Sequence, residues 1–187
     1  MKPIFYTLLI FAGSLSSYAQ DLKGIQFLDP ETNQQKALTS LMDKGVVLIF
    51  SSLTCPYDQY YRERILTLHE AYGARGIKVV MVNSNTGSGD SAEEIKKFTS
   101  KNQWPIPYLI DTEGKVASEL DIAKSSTALL IGNRGGKYSI QYTGSIDSNA
   151  LNSDDVQEKY LEDALNNYLS GQPIDPKETQ SAGCRIR

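Results

Sequence analysis

Cysteine and histidine are scarce in this chain: 187 residues contain two cysteines and one histidine. No group of Cys, His and carboxylate residues has the spacing of a metal site, so no metal and no other cofactor is expected. Basic charge is not in excess either. Nineteen Lys and Arg stand against 22 Asp and Glu, for a formal net charge of −3 and a pI of about 5.2. That balance argues against a nucleic-acid binder, which presents a concentrated basic face. After the first two dozen residues no apolar run is long enough to cross a bilayer. A glycine-containing loop, Asn85-Thr86-Gly87-Ser88-Gly89-Asp90, lacks the Gly-Lys-Ser/Thr continuation of a phosphate cradle.

What is present begins with a leader. Lys2 gives a positive start, Ile4 to Leu15 is apolar and uncharged, and Ser17-Tyr18-Ala19 places small residues at the −3 and −1 positions before Gln20. This is the pattern of a secretory signal peptide over residues 1–19, against the alternative of an uncleaved anchor. The expectation is an exported protein, in a bacterial periplasm, that is not integral to the membrane once cleaved. The remainder divides into one domain over residues 20–170 and a tail over 171–187.

The domain is organised around Val46-Val47-Leu48-Ile49-Phe50-Ser51-Ser52-Leu53-Thr54-Cys55-Pro56-Tyr57-Asp58. Five consecutive apolar residues read as a buried strand. Pro56 suits the first position of a helix, and Tyr57, Tyr61, Ile65 and Leu68 then recur at helical spacing. Cys55 therefore stands where a strand ends and a helix begins. The positive end of a helix favours a thiolate; the plainer alternative is a small residue buried at a turn.

Other elements follow in order. Gly24 to Leu28 reads as an edge strand, residues 29–33 as a turn, and Lys36 to Asp43 as a helical turn. The helix after Cys55 runs to about Tyr72, and Ile77 to Asn83 is a second core strand. Asp90 or Ser91 caps the next helix. Tyr108 to Asp111 is a strand, Val116 to Ile122 carries a short helix, and Thr127 to Ile131 is a strand that turns through residues 133–137 into a partner. A last amphipathic helix spans Asp155 to Leu169. The tail has no period and reads as an extended arm or a disordered end. The order β-α-β-α-β-β-α predicts an α/β fold, a mixed central sheet flanked by helices on both faces.

These residues resemble the thioredoxin-like superfamily, in which a strand feeds a C-P-x-C turn into a helix. The closer resemblance is to the alkyl-hydroperoxide-reductase/thiol-specific-antioxidant, or redoxin, branch. It is carried by Cys55-Pro56-Tyr57, Arg64, Asn83-Ser84-Asn85, Pro107-Tyr108-Leu109-Ile110-Asp111, Glu178-Thr179 and Gly183-Cys184-Arg185-Ile186-Arg187. The resemblance implies a thioredoxin-like fold and thiol chemistry. The chain departs from the pattern at several points. Asp58 stands where the second motif cysteine belongs. Leu48 and Ser52 stand where peroxiredoxins carry Pro and Thr. Lys124-Ser125-Ser126-Thr127 lacks the cis-Pro that docks substrate backbone in disulfide oxidoreductases, so a trans peptide is expected there.

Cys55 is the candidate nucleophile, acting on peroxide or on a protein or small-molecule disulfide. Either reaction needs a second thiol to resolve the sulfenic acid or mixed disulfide. That thiol is Cys184 or an external thiol reductant. Thr54 offers a hydroxyl beside the cysteine, and the resemblance points to Arg64 for positive charge. Asp58 could oppose the thiolate, act as a base through water, or merely favour the helix N-terminus; the last is the simplest expectation. His69 is expected to be packed or solvent-facing. The alternative to an enzyme is a non-catalytic binding module that uses the groove around Cys55.

Overall fold

The computed structural model describes residues 22–85, 87 and 89–186. The proposed leader lies outside the described residues. Seven strands form one mixed sheet among them, in the order β2-β1-β5-β4-β3-β6-β7. β1 is Gln26–Asp29, β2 Gln34–Ala37, β3 Gly45–Phe50, β4 Ile77–Asn83, β5 Tyr108–Ile110, β6 Thr127–Arg134 and β7 Lys137–Gly144. β3 runs parallel to β4 on one side and antiparallel to β6 on the other. Every residue of β3 is buried, as a strand covered on both faces requires. Val47 and Ile49 pack with α1 (Pro56–Gly73), α2 (Ala92–Asn102) and α4 (Tyr160–Ser170). Val46, Leu48 and Phe50 point the opposite way, onto α3 (Lys115–Glu119) and the segment from Leu22 to Leu41. The α/β expectation therefore holds.

Local chemistry accounts for several element ends. Ser91 caps α2 and exchanges a reciprocal pair of bonds with Glu94, a capping box. Gly135 and Gly136 join β6 to β7 with φ of 63° and 82°, the two positive angles a two-residue hairpin turn needs.

Three expectations need correction. One edge of the sheet is β2, which takes residues 34 and 35, outside every element expected from the sequence, and residues 36 and 37, expected as helical turn, while β1 lies inside it. The helical turn expected over Lys36 to Asp43 is present but shorter, a 3₁₀ turn over Leu38–Leu41 that follows β2. The last helix starts at Tyr160 rather than Asp155. Ser148 causes the delay. Its hydroxyl oxygen accepts the N–H groups of Gln157 and Glu158 at 2.9 and 3.1 Å, and its own N–H reaches the Glu158 carbonyl at 2.9 Å. A separate 3₁₀ turn over Ser153–Asp155 comes first, and these bonds tie Gln157 and Glu158 to Ser148 between that turn and Tyr160.

Candidate functional site

β3 ends at Phe50, and the chain leaves the sheet through Ser51 to Thr54. Asp90 fixes that loop. One carboxylate oxygen accepts the Leu53 N–H at 2.7 Å, and the other accepts the hydroxyls of Ser52 at 2.7 Å and Thr54 at 3.0 Å. Thr54 also lies 2.9 Å from the Ser52 hydroxyl. The single hydroxyl protons of Ser52 and Thr54 are thus both directed at the Asp90 carboxylate.

Cys55 caps α1 in an extended conformation, with Pro56 as the first helical residue. Its side chain is joined to Cys184 in a disulfide with a Cα–Cα distance of 5.8 Å, well inside the range such a bond spans. Cys55 is 1% exposed, whereas Cys184 is only half-buried.

The tail reaches Cys55 along a defined path. Ile174 is buried in the core beneath α4. Thr143 donates its N–H to the Lys177 carbonyl and accepts the Thr179 N–H on its own carbonyl, both at 3.0 Å. The Thr179 hydroxyl lies 2.6 Å from that of Tyr142 and accepts the Ser145 N–H at 2.9 Å. Beyond residue 179 the chain crosses to the loop that precedes β6. There Ser125 N–H donates to the Cys184 carbonyl at 2.8 Å, Cys184 N–H donates to the Ser125 hydroxyl at 3.2 Å, and Ile186 N–H donates to the Ala123 carbonyl at 3.0 Å. Lys124 and Arg185 form an antiparallel bridge. Gly183 lies so close to Ser125 that a Cβ would run into the Ser125 carbonyl. Only glycine admits this approach. The tail is therefore an extended arm, ordered by backbone pairing that has no period in its own sequence.

Asp58 is the residue that sequence reasoning misjudged. It sits in the first turn of α1, yet it is buried rather than a solvated N-terminal charge. One carboxylate oxygen accepts the Ser52 N–H at 2.9 Å and the other the Ser126 hydroxyl at 2.7 Å. Burial pushes its pKa up from 3.8 to about 6, against the lowering effect of those bonds. A residue three positions from Cys55 lies on the same side of the helix. The loop Ser125-Ser126 thus touches Asp58 through one residue and Cys184 through the next. The peptide bonds of this loop are trans; among the described residues the cis bond is Asp175–Pro176.

Arg64 turns towards the loop after β7. It pairs with Asp147 at 2.6 Å, donates to the carbonyls of Asn149 and Ala150, and lies over the Tyr61 ring. Cys55, Cys184 and Asp58 are brought together by the fold. Thr54 adjoins them with its hydroxyl committed to Asp90, and the two terminal nitrogens of Arg64 bond Asp147 and the carbonyls of Asn149, Ala150 and Tyr60, while its Nε is buried without a partner among the described residues. His69 is half-buried on α1. No cluster of His, Cys, Asp and Glu suited to a metal occurs among the described residues, and no helix among them is long and apolar enough to cross a membrane.

The architecture has known counterparts. An uncharacterized conserved protein from Geobacillus kaustophilus is 26% identical, with 87% of each chain covered and a TM-score of 0.77. A hypothetical protein from Sinorhizobium meliloti 1021 is 23% identical, covering 87% of this chain and 89% of that one, with a TM-score of 0.75. A thioredoxin-like protein solved in its oxidized form shares 14% identity over 80% of this chain and 91% of that one, with a TM-score of 0.58. No curated protein matches the sequence. The model of the AhpC/TSA family matches residues 19–146, a span that contains the sheet through β7 and the whole Cys55 turn. With that match and a thioredoxin-like sheet whose central strand delivers Cys55 to a helix N-terminus, the chain belongs to the AhpC/TSA family, the redoxin branch of the thioredoxin-like superfamily.

Proposed function

We propose that this redoxin is an exported thiol–disulfide oxidoreductase in which Cys55 and Cys184 alternate between dithiol and disulfide. The observation that carries the reading is the Cys55–Cys184 bond itself, which places the two thiols of the chain within covalent reach across 129 residues. Cys184 takes the part of the cysteine that Asp58 replaces in the motif. In the reduced chain the Cys55 thiolate attacks a substrate disulfide, one substrate sulfur leaves as a thiol, and a mixed disulfide forms. The Cys184 thiolate then attacks the Cys55 sulfur and releases the second substrate thiol. Two electrons pass to the substrate, and an external dithiol restores the protein. Asp58, with a pKa near 6, is the buried group suited to hold or release a proton beside these sulfurs near neutral pH.

Exchange is preferred to peroxide reduction because of where the assisting groups are spent. The hydroxyls of Ser52 and Thr54 face Asp90, and Arg64 faces Asp147. A peroxide oxygen leaving as hydroxide needs free donors aimed at it. Family membership supports peroxide as the second reading, with Cys184 resolving a Cys55 sulfenic acid. Export is supported by the leader-like residues 1–19.

The experiment supplies the reduced protein with glutathione disulfide in one arm and hydrogen peroxide in the other. Formation of the Cys55–Cys184 bond is followed by mass spectrometry. Fast closure by the disulfide and slow closure by peroxide is the expected outcome. The reverse order selects the peroxidase reading. Closure by neither makes the bond a structural staple and the protein a non-catalytic module.

A further inference from the structure

Among the described residues two large apolar side chains stay exposed, Tyr60 at 56% and Leu151 at 59%. They belong to different elements, α1 and the loop after β7, yet Arg64 draws them to one place. Its guanidinium donates to the Tyr60 carbonyl at 3.3 Å and to the Ala150 carbonyl at 2.9 Å. Leu151 is held out in a fixed turn. The Asn149 side-chain oxygen accepts the Leu151 and Asn152 N–H groups at 3.1 and 3.0 Å, and the Arg64–Asp147 pair anchors the same loop. Single exposed apolar residues are ordinary, but two held together beside an apolar cavity mark an interaction site.

That cavity lies between α1 and the exposed segment 153–159, with Arg64, Leu68, Ile146, Val156 and Lys159 in its wall. Its volume is about 190 Å³, below the roughly 300–1,000 Å³ of a small-molecule site, so it suits one inserted side chain. Leu68, Ile146 and Val156 call for an apolar one. Ser148 fixes the outer wall by accepting the N–H groups of Gln157 and Glu158, so the cavity is formed before a partner arrives. The rim is acidic. Residues 151–163 hold five carboxylates and one lysine, in a chain whose formal net charge is −3. Lys159 is paired with Glu162 at 3.2 Å, and no described Lys or Arg forms an ion pair with the exposed Asp154, Asp155 or Glu158. Such a rim draws in a basic partner. It repels an anionic membrane surface, and a second copy would bring the same acidic rim against this one.

We propose that Tyr60, Leu151 and the cavity beside them form a docking face for a basic polypeptide that inserts one large apolar side chain. The cavity takes this anchor, Tyr60 and Leu151 bury apolar surface on its flanks, and Lys or Arg residues next to the anchor meet Asp154, Asp155 and Glu158. Tyr60 is little more than one helical turn along α1 from Cys55, so docking here brings the polypeptide into the neighbourhood of the disulfide. Arg64 then serves the surface by holding its two halves together. Docking requires nothing of the exchange reading, and it is measured without turnover.

The test follows the fluorescence anisotropy of a short fluorescein-labelled peptide of alternating Leu and Lys, titrated with the oxidised protein. Two companion peptides carry Glu in place of Lys, or Ser in place of Leu. The double variant Tyr60→Ser, Leu151→Ser and the cavity-filling Val156→Trp are titrated alongside, after urea unfolding has verified that each is folded. The expected result is saturable binding of the Leu–Lys peptide by wild type, weakened by added salt and at least about ten-fold weaker for each companion peptide and each variant. Equal binding by wild type and either variant is general attraction to an acidic protein and overturns the proposal. Equal binding of the Glu peptide, or no saturable binding at all, overturns it too. Sedimentation of the protein alone covers the remaining occupant: a dimer that the double variant dissolves assigns the face to a second copy and overturns the basic-polypeptide assignment.

Discussion

Replacing Asp58 by Asn should change how stability depends on pH. The folded protein holds the Asp58 carboxyl near pKa 6 where the ordinary value is 3.8. Between those values the unfolded chain has released a proton that the folded chain still binds. Stability therefore falls as pH rises through this window. The favourable contribution is complete below about pH 4 and has gone by about pH 7. A shift of about two units corresponds to about 3 kcal/mol at neutral pH. Asp58 is 2% exposed, so solvent does little to screen this cost. Asparagine keeps the shape. Its carbonyl can accept the Ser52 N–H, and the Ser126 hydroxyl can rotate to accept from its amide. The assay is urea unfolding of oxidised wild type and Asp58→Asn at pH 4 and pH 7. Relative to wild type, the variant should gain about 2–3 kcal/mol on going from pH 4 to pH 7. If the two proteins keep the same difference at both pH values within about 0.5 kcal/mol, Asp58 is not a buried, titrating acid and its assigned role fails.

Three further outcomes follow from named contacts. Cys184→Ser opens a loop closed across 129 residues, a loss of about 5 kcal/mol by chain entropy and about 10–20 °C in melting temperature; calorimetry showing under about 2 °C would refute it. Arg64→Ala strands the nearly buried Asp147 carboxylate and should cost about 3 kcal/mol in denaturant unfolding, while alkylation of reduced Cys55 continues at the wild-type rate; a large fall in that rate would give Arg64 a part in the chemistry. Gly183→Val cannot seat against the Ser125 carbonyl, so the fraction oxidised in a glutathione buffer should report at least about a ten-fold weaker internal disulfide; an unchanged fraction would mean the arm pairs elsewhere.

How much could be read from residues alone depended on how far each determinant lay along the chain. β3, the Cys55 turn, the start of α2 and the Gly135-Gly136 hairpin are set by neighbours within a few positions, and their sequence signals sufficed. α4 was misplaced because Ser148, well before it, holds residues 157 and 158 out of the helix. β2 was missed because its polar residues make an edge strand by pairing with β1, not by burial. Asp58 was misjudged for a related reason: an acid in the first turn of a helix looks the same from its sequence whether it faces water or Ser126, 68 positions away. The arm follows the same rule, since its order comes from Thr143, Ser125 and Ala123 rather than from its own composition. Cys55 and Cys184 were both legible as candidates, but what joins them is long-range.

The placement of the arm's anchors also sets the odds of any competing reaction. With the chain pinned at Thr179 by the Thr143 and Tyr142 contacts, five residues of tether lead to Cys184, a reach of about 17 Å when fully extended. A thiol on so short a leash revisits Cys55 as though dissolved at millimolar concentration or above. A dilute monothiol that opens the bond therefore loses the race to re-closure. A dithiol does not, because its own second sulfur sits on an equally short leash. The arm is thus a concentration filter, passing two-electron reductants and rejecting one-sulfur reagents present at trace levels.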